Sequence, residues 1–401
     1  MRIVVTGMGV VSPLGNGLET FWTALCGGAC GLRTITRFDL KDFSYTQAGE
    51  VAGFQLPPDL GLAAAESDPA TQFMLAAALE AMRDARLAGT AASQPDIGVV
   101  LATNFGGMLS GERVLTQLAG KGAATGADFS EYLFQSAADR VANVWRLGGP
   151  RLVLSLSCSS GTAAIGHGME LIRAGRAKAV LTGGYDALSR FAWSGLSALR
   201  TMSKTLVRPF DKNRDGTIFS EGAGALVIEE LEHARQRGAT IYAEVAGHAE
   251  NNNAFHMTAP AKGGAGSALV MLLALADAGL PPEAIEHINA HGTGTVPNDA
   301  TETEAIKAVF GPHACHIPVT AIKSMTGHMM GAAGAVEAIA SILSIRDGVI
   351  PPTTNYRDPD PLCDLDTVAN VKRAGALNTV LSNSAGIGGC NAAAIFKAFQ
   401  A

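Results

Sequence analysis

The stretch VLSLSCSSGTAAIG, residues 153–166, joins a short apolar run to a segment of small residues that continues to Ala174-Gly175. The apolar run predicts a buried strand. The second segment predicts a helix that the serines can cap at its start and that Gly175 ends. Cys158 is then expected in the turn, at or near the helix N-terminus, where free N–H groups and the helix dipole favour a thiolate. Such a turn suits a nucleophile, while a buried, unreactive cysteine is the common alternative.

The composition limits the class of protein. The chain has 401 residues, more than one simple core usually holds, so two domains or a duplicated one is expected. Hydrophobic residues make up 47% and charged residues 16%, which is typical of a folded chain. The net charge is −6 and there is no long run of lysine or arginine, so nucleic acid and anionic membranes are poor partners.

The cysteines and the first residues indicate a cytoplasmic protein. Six cysteines are scattered without the spacing of a disulfide framework. The segment MRIVVTG, residues 1–7, is too short and too interrupted by glycine to be a signal peptide. No run of the sequence approaches the roughly 18 apolar residues of a membrane-spanning helix.

Predicted strands and helices alternate along the chain. Apolar strands are expected at 97–102 and 179–182, and a helix with one polar face at 73–85. After EHARQRGAT, residues 232–240, which is typical of a linker, the pattern restarts with strands on either side of a helix at 265–278. Repeated strand–helix–strand units predict parallel pairing and an α/β fold. We therefore expect two halves, residues 1–240 and 241–401.

A weak internal repeat supports duplication. A predicted strand at 317–322, the turn KSMTGH at 323–328 and a small-residue helix at 331–345 mirror the strand, turn and helix around Cys158. Both helices end in the same way, at Ala174-Gly175 and at Asp347-Gly348. Turns related by such a repeat can bring Cys158 and His328 to one site.

Two further segments carry candidate chemistry. HGTGT, residues 291–295, places a histidine after an apolar strand, and NSAGIGGCN, residues 383–391, is a flexible glycine loop between two predicted strands. Ligands bind at the carboxyl ends of parallel strands, which favours His291 and His328 over a lone core histidine. A cysteine with histidine partners fits covalent catalysis.

Together these motifs resemble those of the elongating 3-oxoacyl-[acyl-carrier-protein] synthases and the type II polyketide ketosynthases, within the thiolase-like superfamily. The resemblance runs from VVTGMGVVSP, residues 4–13, to the glycine loop at 386–389. KSMTGH followed by GAAGAVE is its most specific part, and SCSSG, HGTGT and DGTIFSEGAG are each moderately specific. The resemblance implies a thiolase-like fold of duplicated βαβ halves in five layers, α-β-α-β-α.

The same resemblance implies a decarboxylative Claisen condensation. Cys158 would accept an acyl chain as a thioester, and its own N–H and that of Ile387 would form the oxyanion hole. His291 and His328 would bind the carbonyl of a malonyl thioester and assist the loss of carbon dioxide. The resulting carbanion would attack the acyl group on Cys158 and give a 3-oxoacyl thioester, in fatty acid elongation or a related pathway.

Four charged residues match supporting positions in the resembled family. Lys323 and Glu337 match a pair that orients the second histidine, His328, and a purely structural ion pair is the alternative. Asp299 and Glu302 match a structural acidic pair outside the chemistry.

Binding residues follow from the resemblance as well. Thr293 and Thr295 match residues that hydrogen-bond the phosphopantetheine arm of the carrier protein, and Gly386 and Gly388 belong to the substrate-binding loop. Arg200 matches a basic residue that meets the acidic carrier protein, although a solvated arginine is the common alternative. No cofactor and no metal are implied.

The sequence departs from the fatty-acid enzymes in the C-terminal loop. Ala385 and Ile387 stand where phenylalanines are usual, so a preference for chain length does not carry over. A polyene or type II polyketide system is therefore an open alternative. The resemblance implies a dimer through residues 178–182, either a homodimer or a heterodimer with a chain-length-factor-like subunit.

Other interpretations are weaker. A chain-length factor lacks the nucleophile, and a non-catalytic partner subunit would not carry Cys158 with both histidines. A thiolase would use a second cysteine, for which Cys390 is the candidate. His313-Ala314-Cys315-His316 and the Cys26/Cys30 pair lack the ligand spacing of a structural zinc site. Thr182-Gly183-Gly184 lacks a dinucleotide fingerprint.

Overall fold

A mixed sheet of eleven strands is the main feature of the computed structural model, which describes residues 1–89 and 93–400. The strands found in those residues are β1 (Ile3–Ser12), β2 (Gly15–Asn16), β3 (Arg33–Thr34), β4 (Gln47–Ala48), β5 (Ile97–Ala102), β6 (Arg151–Leu154), β7 (Ala179–Asp186), β8 (Gly222–Glu230), β9 (Ala243–Asn252), β10 (His287–Asn289), β11 (Val319–Thr320), β12 (Val349–Ile350), β13 (Arg373–Ala374), β14 (Thr379–Ala385) and β15 (Cys390–Lys397).

The α-helices of the same residues connect these strands. They are α1 (Leu18–Cys26), α2 (Gly61–Ala65), α3 (Pro69–Asp84), α4 (Met108–Ala119), α5 (Ser136–Trp145), α6 (Ser160–Arg173), α7 (Arg190–Ala198), α8 (Leu231–Gln236), α9 (Ala265–Ala278), α10 (Val296–Phe310), α11 (Lys323–Thr326) and α12 (Ala333–Asp347). None of these helices has the length and apolar character needed to span a membrane.

The sheet consists of two halves with the same strand order. The first half runs β6-β5-β7-β8-β1 and the second runs β11-β10-β14-β15-β9. In both halves, the first three strands in this order pair in parallel. The fourth strand pairs antiparallel with the third and with the fifth. The halves join through a short antiparallel contact in which Val4 faces Glu244 and Val5 faces Ala243. The predicted duplication and α/β class are confirmed.

Helices α6 and α12 form the layer between the two half-sheets, while α3 and α5 cover the outer face of the first half and α9 and α10 that of the second. All positions from 333 to 344 of α12 are buried, which fits a helix that is mainly apolar or small on every side, with Glu337 as its one buried charge. Glycines permit close contact between the central helices: a Cβ on Gly161 would lie 2.7 Å from the Ala335 nitrogen. This gives the five expected layers.

Two expectations about local structure are wrong. Residues 232–240 are not a plain linker, because α8 occupies their first part, with its start capped by Glu230 and with Leu231 and Ala234 packed beside Val4. Residues 178–182 do not offer a sheet edge for dimerisation, because β7 is fully buried between β5 and β8. The outer strand of this half is β6, where Arg151 and Leu152 are exposed. The division of the chain near residue 240 stays a prediction.

Candidate active site

The turn between β6 and α6 holds Cys158 in place by side-chain hydrogen bonds. The Ser159 hydroxyl donates to the Leu156 carbonyl at 2.7 Å, and the Ser160 hydroxyl donates to the Ser157 carbonyl at 2.5 Å and accepts from the Leu156 N–H at 2.7 Å. Ser157 has a φ of 54°, in the left-handed region. The serine side chains therefore stabilise the turn. The sequence pattern predicts that they cap the start of the helix, and they do not.

Cys158 lies just before the helix and is 6% exposed. Burial raises the pKa of its thiol, and the Ser157 hydroxyl, the Lys323 charge and the Ile387 N–H oppose that rise. Loss of hydration therefore has a larger effect on the thiol pKa than these favourable contacts, and the expected effect of the helix N-terminus stays a prediction. The Ile387 N–H is nevertheless near enough to the Cys158 sulfur to lower the pKa of the thiol.

His291 follows β10 in a loop that is anchored by carboxylates. Glu302 accepts the N–H groups of His291 and Gly292, at 2.7 and 2.8 Å, and Asp299 accepts those of Phe210 and Gly294. Gly292 has a φ of 39°, which a glycine adopts without strain. Asp299 and Glu302 thus shape the loop that presents the histidine.

His328 follows α11 and lies close to His291. Their ring centroids are 5.4 Å apart with an interplanar angle of 83°. On another side, the His328 ring stacks on Phe219, with centroids 5.4 Å apart. The Met330 N–H donates to His328 Nδ1 at 3.2 Å.

Lys323 contacts the first histidine, not the second. Its Nζ lies 3.3 Å from His291 Nδ1 and forms a fully buried ion pair with Glu337 on α12. The expectation that this pair orients His328 is therefore wrong, since the lysine side chain extends towards the loop after β10. Burial raises the pKa of the Glu337 carboxyl, and the Lys323 charge opposes that rise.

Both histidines are neutral at physiological pH. Burial lowers the pKa of each ring well below its ordinary value, and the Lys323 charge lowers both further. Because Nδ1 of each ring accepts a hydrogen bond, the ring proton is assigned to Nε2. Two neutral N–H donors therefore serve the same site.

A cavity of about 170 Å³ brings the predicted residues together. Cys158 and both histidines line it, with Thr293, Thr295, Gly386, Ile387 and Gly388. The two threonine hydroxyls lie 2.9 Å apart. Lys323 and Glu337 are buried behind this cavity rather than lining it. Arg200 is exposed, and its neighbours Leu199 and Thr201 line the cavity, so Arg200 lies at the rim.

A second cavity, of about 300 Å³, also reaches Cys158. Its lining is largely apolar and includes Phe105, Leu196 and Met330. Ile387 lines both cavities, whereas Ala385 lines only the first. Ile387 therefore stands where the two cavities meet at the thiol.

Sequence reasoning missed several of the lining residues. Phe219 lies in the family motif DGTIFSEGAG, but the motif alone predicts no role for its phenylalanine. Asn104 and Phe105 follow a correctly predicted strand, β5, and that position was the available signal. Met330 lies inside the recognised KSMTGH segment and its continuation, but nothing in the sequence shows that it faces the cavity.

The remaining cysteines and histidines form no second centre in the part of the chain described. No group of three or more His, Cys, Asp or Glu side chains that could hold a metal ion is found in residues 1–89 and 93–400. Cys390 begins β15, and its sulfur accepts a hydrogen bond from Asn252 Nδ2 at 3.3 Å.

Comparison with protein families gives two adjacent matches. The model described as "Beta-ketoacyl synthase, N-terminal domain" matches residues 1–234, and "Beta-ketoacyl synthase, C-terminal domain" matches residues 242–357. The chain is 40% identical over 410 residues to 3-oxoacyl-[acyl-carrier-protein] synthase 2 of Staphylococcus aureus, covering 100% of this chain and 99% of the relative. It is 39% identical over 409 residues to the protein of the same name from Synechocystis, covering 100% and 98%.

Solved structures of similar fold are ketosynthases. One is a type II polyketide synthase acyl-carrier protein in complex with its ketosynthase bound to the hexaketide, with a TM-score of 0.91, 35% identity and coverage of 100% of this chain and 99% of that chain. Another is the ishigamide ketosynthase/chain length factor, with a TM-score of 0.93, 36% identity and coverage of 100% and 99%. The thiolase-like fold expected from the sequence is confirmed.

Proposed function

The chain belongs to the beta-ketoacyl synthase family, and on that premise we propose that it is an acyltransferase that condenses an acyl chain on Cys158 with malonyl-[acyl-carrier-protein] to give 3-oxoacyl-[acyl-carrier-protein]. One observation carries the assignment of roles. The buried Cys158 thiol meets the Ile387 N–H on one side and shares a cavity with two neutral histidines.

In the first step, the Cys158 sulfur attacks the thioester carbonyl of the acyl carrier. The oxyanion that forms is stabilised by the N–H groups of Cys158 and Ile387. The carrier thiolate leaves and takes the proton that Cys158 loses, so the acyl group moves from one sulfur to the other. The second, largely apolar cavity accommodates the chain.

In the second step, the malonyl thioester enters through the first cavity. His291 and His328 donate Nε2–H hydrogen bonds to its carbonyl oxygen, which stabilises the enolate formed as the C–C bond to the carboxylate breaks and carbon dioxide leaves. The enolate carbon attacks the acyl carbonyl, and the C–S bond to Cys158 breaks. The cysteine sulfur takes up one proton, and the product leaves on the carrier.

The Lys323–Glu337 pair acts through His291. The Lys323 ammonium donates to His291 Nδ1, which fixes the proton on Nε2 and keeps the ring neutral. Glu337 balances the lysine charge in a fully buried position.

The partner of this site is an acyl carrier protein with a phosphopantetheine arm. Thr293 and Thr295 offer hydroxyls to the arm inside the first cavity, the loop Gly386–Gly388 forms part of its wall, and Arg200 at the rim meets the acidic carrier surface. One similar structure is itself a ketosynthase with its acyl-carrier protein. The subunit pairs with a second copy or with a chain-length-factor-like subunit.

A second candidate is a ketosynthase subunit of a type II polyketide or aryl polyene system. Ala385 and Ile387 in place of phenylalanines favour it, because Ala385 changes the wall of the first cavity and Ile387 changes the point where the two cavities meet. Structures of a polyketide ketosynthase and of a ketosynthase/chain length factor are 35% and 36% identical to this chain.

Two further proposals concern organisation. Residues 1–240 form the half that carries Cys158 and residues 241–401 the half that carries the histidines, which the repeated strand order supports. A cytoplasmic location is supported by six free cysteines without framework spacing.

Intact-protein mass spectrometry after mixing with carrier proteins that bear a panel of acyl chains tests the function. We expect a mass increase equal to the acyl group, absent in Cys158→Ala and retained in the matched variant Cys390→Ala. Loading of saturated chains of several lengths favours fatty acid elongation. Loading restricted to unsaturated or aryl-primed chains, or dependent on a partner subunit, favours the second candidate. An acyl group found on another residue would refute the nucleophile assignment.

A further inference from the structure

Asp186 is a fully buried carboxylate at the end of β7. It lies between two segments that line the second cavity, the one that we assign to the acyl chain and call the acyl cavity. Its Oδ1 accepts from the Thr103 hydroxyl at 2.7 Å and from the Phe105 N–H at 3.0 Å. Its Oδ2 accepts from the Gly331 N–H at 2.7 Å. The Asn104 N–H lies 3.1 Å from both oxygens. One side chain therefore connects the loop after β5 to the start of the segment that leads into α12.

The two segments are in direct contact at Gly331. A Cβ on Gly331 would lie 2.8 Å from Asp186 Oδ2 and 2.9 Å from the Thr103 Cα. A Cβ on Gly184, two residues before Asp186, would lie 2.2 Å from the Gly331 oxygen. The backbone approach is thus as close as glycine allows, and the carboxylate stands at that point of contact.

Both connected segments supply walls of the cavity that ends at Cys158. Asn104 and Phe105 come from one segment and Met330 from the other. Met330 has a φ of 53°, a conformation that a side chain with a Cβ adopts only when its surroundings restrain it. The adjacent Gly331 N–H, held by Asp186, is one such restraint.

We propose that Asp186 is a positioning residue for the acyl chain: by accepting from Phe105 and Gly331 together, it sets the separation of the two cavity walls and so the discrimination between acyl groups. This inference rests on the proposed function, because it assumes that the acyl chain occupies this cavity. It assigns a role to a carboxylate that takes no part in the condensation steps.

The chemistry of the contacts explains why a carboxylate is required. All groups around Asp186 are donors, so both oxygens must accept, which an ionised carboxylate does and an amide cannot. In Asp186→Asn the amide oxygen is best placed towards Thr103 and Phe105, where most donors lie. Its NH₂ then faces the Gly331 N–H, and the connection between the walls is broken while the side-chain volume is kept.

The test compares kcat/KM for acyl transfer to Cys158 across a series of acyl-carrier chain lengths. We expect Asp186→Asn to lower the ratio between the best and the worst chain by roughly tenfold, the effect of one hydrogen bond to a charged group, mainly through KM of the best chain. Thr103→Val removes the hydroxyl that donates to Asp186 Oδ1. It should lower the ratio between the best and the worst chain as well, but by a smaller factor. Glu80→Gln is the matched control, because Glu80 also accepts two backbone N–H groups from separate segments, those of Val10 and Leu18, but lines neither cavity.

Each outcome is decisive. A weakened chain-length ratio in Asp186→Asn and Thr103→Val, with Glu80→Gln unchanged, supports the inference. If both variants keep the wild-type ratio while remaining folded by thermal melting, the inference is overturned and the proposed function stands. If Asp186→Asn does not fold, Thr103→Val decides. If the wild-type protein loads no acyl chain, the proposed function fails and this inference with it.

Discussion

The two halves of the molecule have the same strand order but place different chemistry at equivalent positions. In the first half, a short turn between β6 and α6 presents Cys158 directly before the helix. In the second half, a longer segment between β11 and α12, which includes α11, presents His328 before the helix. The shared framework brings both turns to one cavity, and in the proposed mechanism the first half supplies the nucleophile and the second half the hydrogen-bond donors.

The loops after the second strand of each half extend this comparison. After β5, Asn104 and Phe105 line part of the second cavity, and their N–H groups donate to Asp186. After β10, His291 and Gly292 have their N–H groups held by Glu302. A buried carboxylate thus holds the equivalent loop in each half, but one loop lines the second cavity and the other carries His291 into the first.

Removing the nucleophile tests the role of the first half most severely. Cys158→Ala should lower condensation by roughly 10³-fold or more, because no acyl-enzyme can form. Some decarboxylation of malonyl carrier should remain, since the donors of the second half are intact. Radioactive carbon dioxide release and 3-oxoacyl product are measured together, with the exposed Cys30→Ala as control. Condensation at the wild-type rate in the mutant would refute this role.

The second half is tested by His328→Ala. Loss of one preorganised donor should lower decarboxylation by roughly 10² to 10³-fold, with acylation of Cys158 affected less. The two rates are measured separately by carbon dioxide release and by mass spectrometry, and His316→Ala, an exposed histidine, serves as control. A larger defect in acylation than in decarboxylation would reverse the division of labour between the halves.

The fully buried Lys323–Glu337 pair of the second half differs from the ion pairs that Arg173 of α6 makes with Glu170 and Asp277, which are partly exposed. Glu337→Gln leaves the Lys323 charge without its partner, so the free energy of unfolding should fall by about 3–5 kcal/mol. Asp364→Asn, which removes the partner of the partly exposed Lys307, should change it by about 1 kcal/mol or less. Chemical denaturation of both variants measures the contrast, and equal effects would show that burial of the pair is unimportant.

The contact between the central helices of the two halves should be sensitive to a single methyl group. In Gly161→Ala the added Cβ meets the Ala335 nitrogen and the Gly331 oxygen, so the free energy of unfolding should fall by about 1–3 kcal/mol. Gly195→Ala on α7 is the control, because its Cβ meets no atom within 4 Å. A stability loss in the control equal to that in Gly161→Ala would remove the explanation by close packing.

The smallest effect concerns acid pH. Burial lowers the pKa of His291 and His328, so the rings stay neutral where an ordinary histidine, with a pKa of about 6.5, becomes protonated. Decarboxylation should therefore show no loss centred near pH 6.5. The unfolded chain binds these protons more readily, so the histidine contribution to stability decreases as the pH falls below about 6.5. A pH–rate profile with an acid limb at the ordinary histidine value would contradict the assignment.

The sequence was sufficient for features that depend on local pattern. The strand–turn–helix around Cys158 and the internal repeat follow from periodicity, glycine stops and small residues, and β5 and α9 have their predicted bounds. The strand before Cys158, β6, is however an outer strand with exposed and half-buried residues, not the buried strand expected. The meeting of Cys158 with His328 follows from the repeat, and the position of His291 follows from its place after the carboxyl end of a strand.

What failed depends on tertiary contacts. Which histidine Lys323 reaches is decided by the direction of a long side chain in the core, and no spacing encodes it. The pKa of Cys158 depends on how completely its turn is buried, and the local sequence pattern does not encode that burial. Whether β6 or β7 lies at the edge depends on the strand order of the sheet. The apolar sequence of residues 178–182 is compatible with either position.

The interlocked glycines of α6 and α12 have a consequence for protein engineering. Gly161 fits against Ala335, and a Cβ on Gly334 would lie 2.5 Å from the Thr162 nitrogen, so each helix is shaped to the backbone of the other. A chimera that exchanges one whole half between two homologous enzymes inherits a mismatched seam at this junction. Exchanging only a surface segment, such as the one between β9 and α9, leaves α6 and α12 of one parent in contact and preserves their fit.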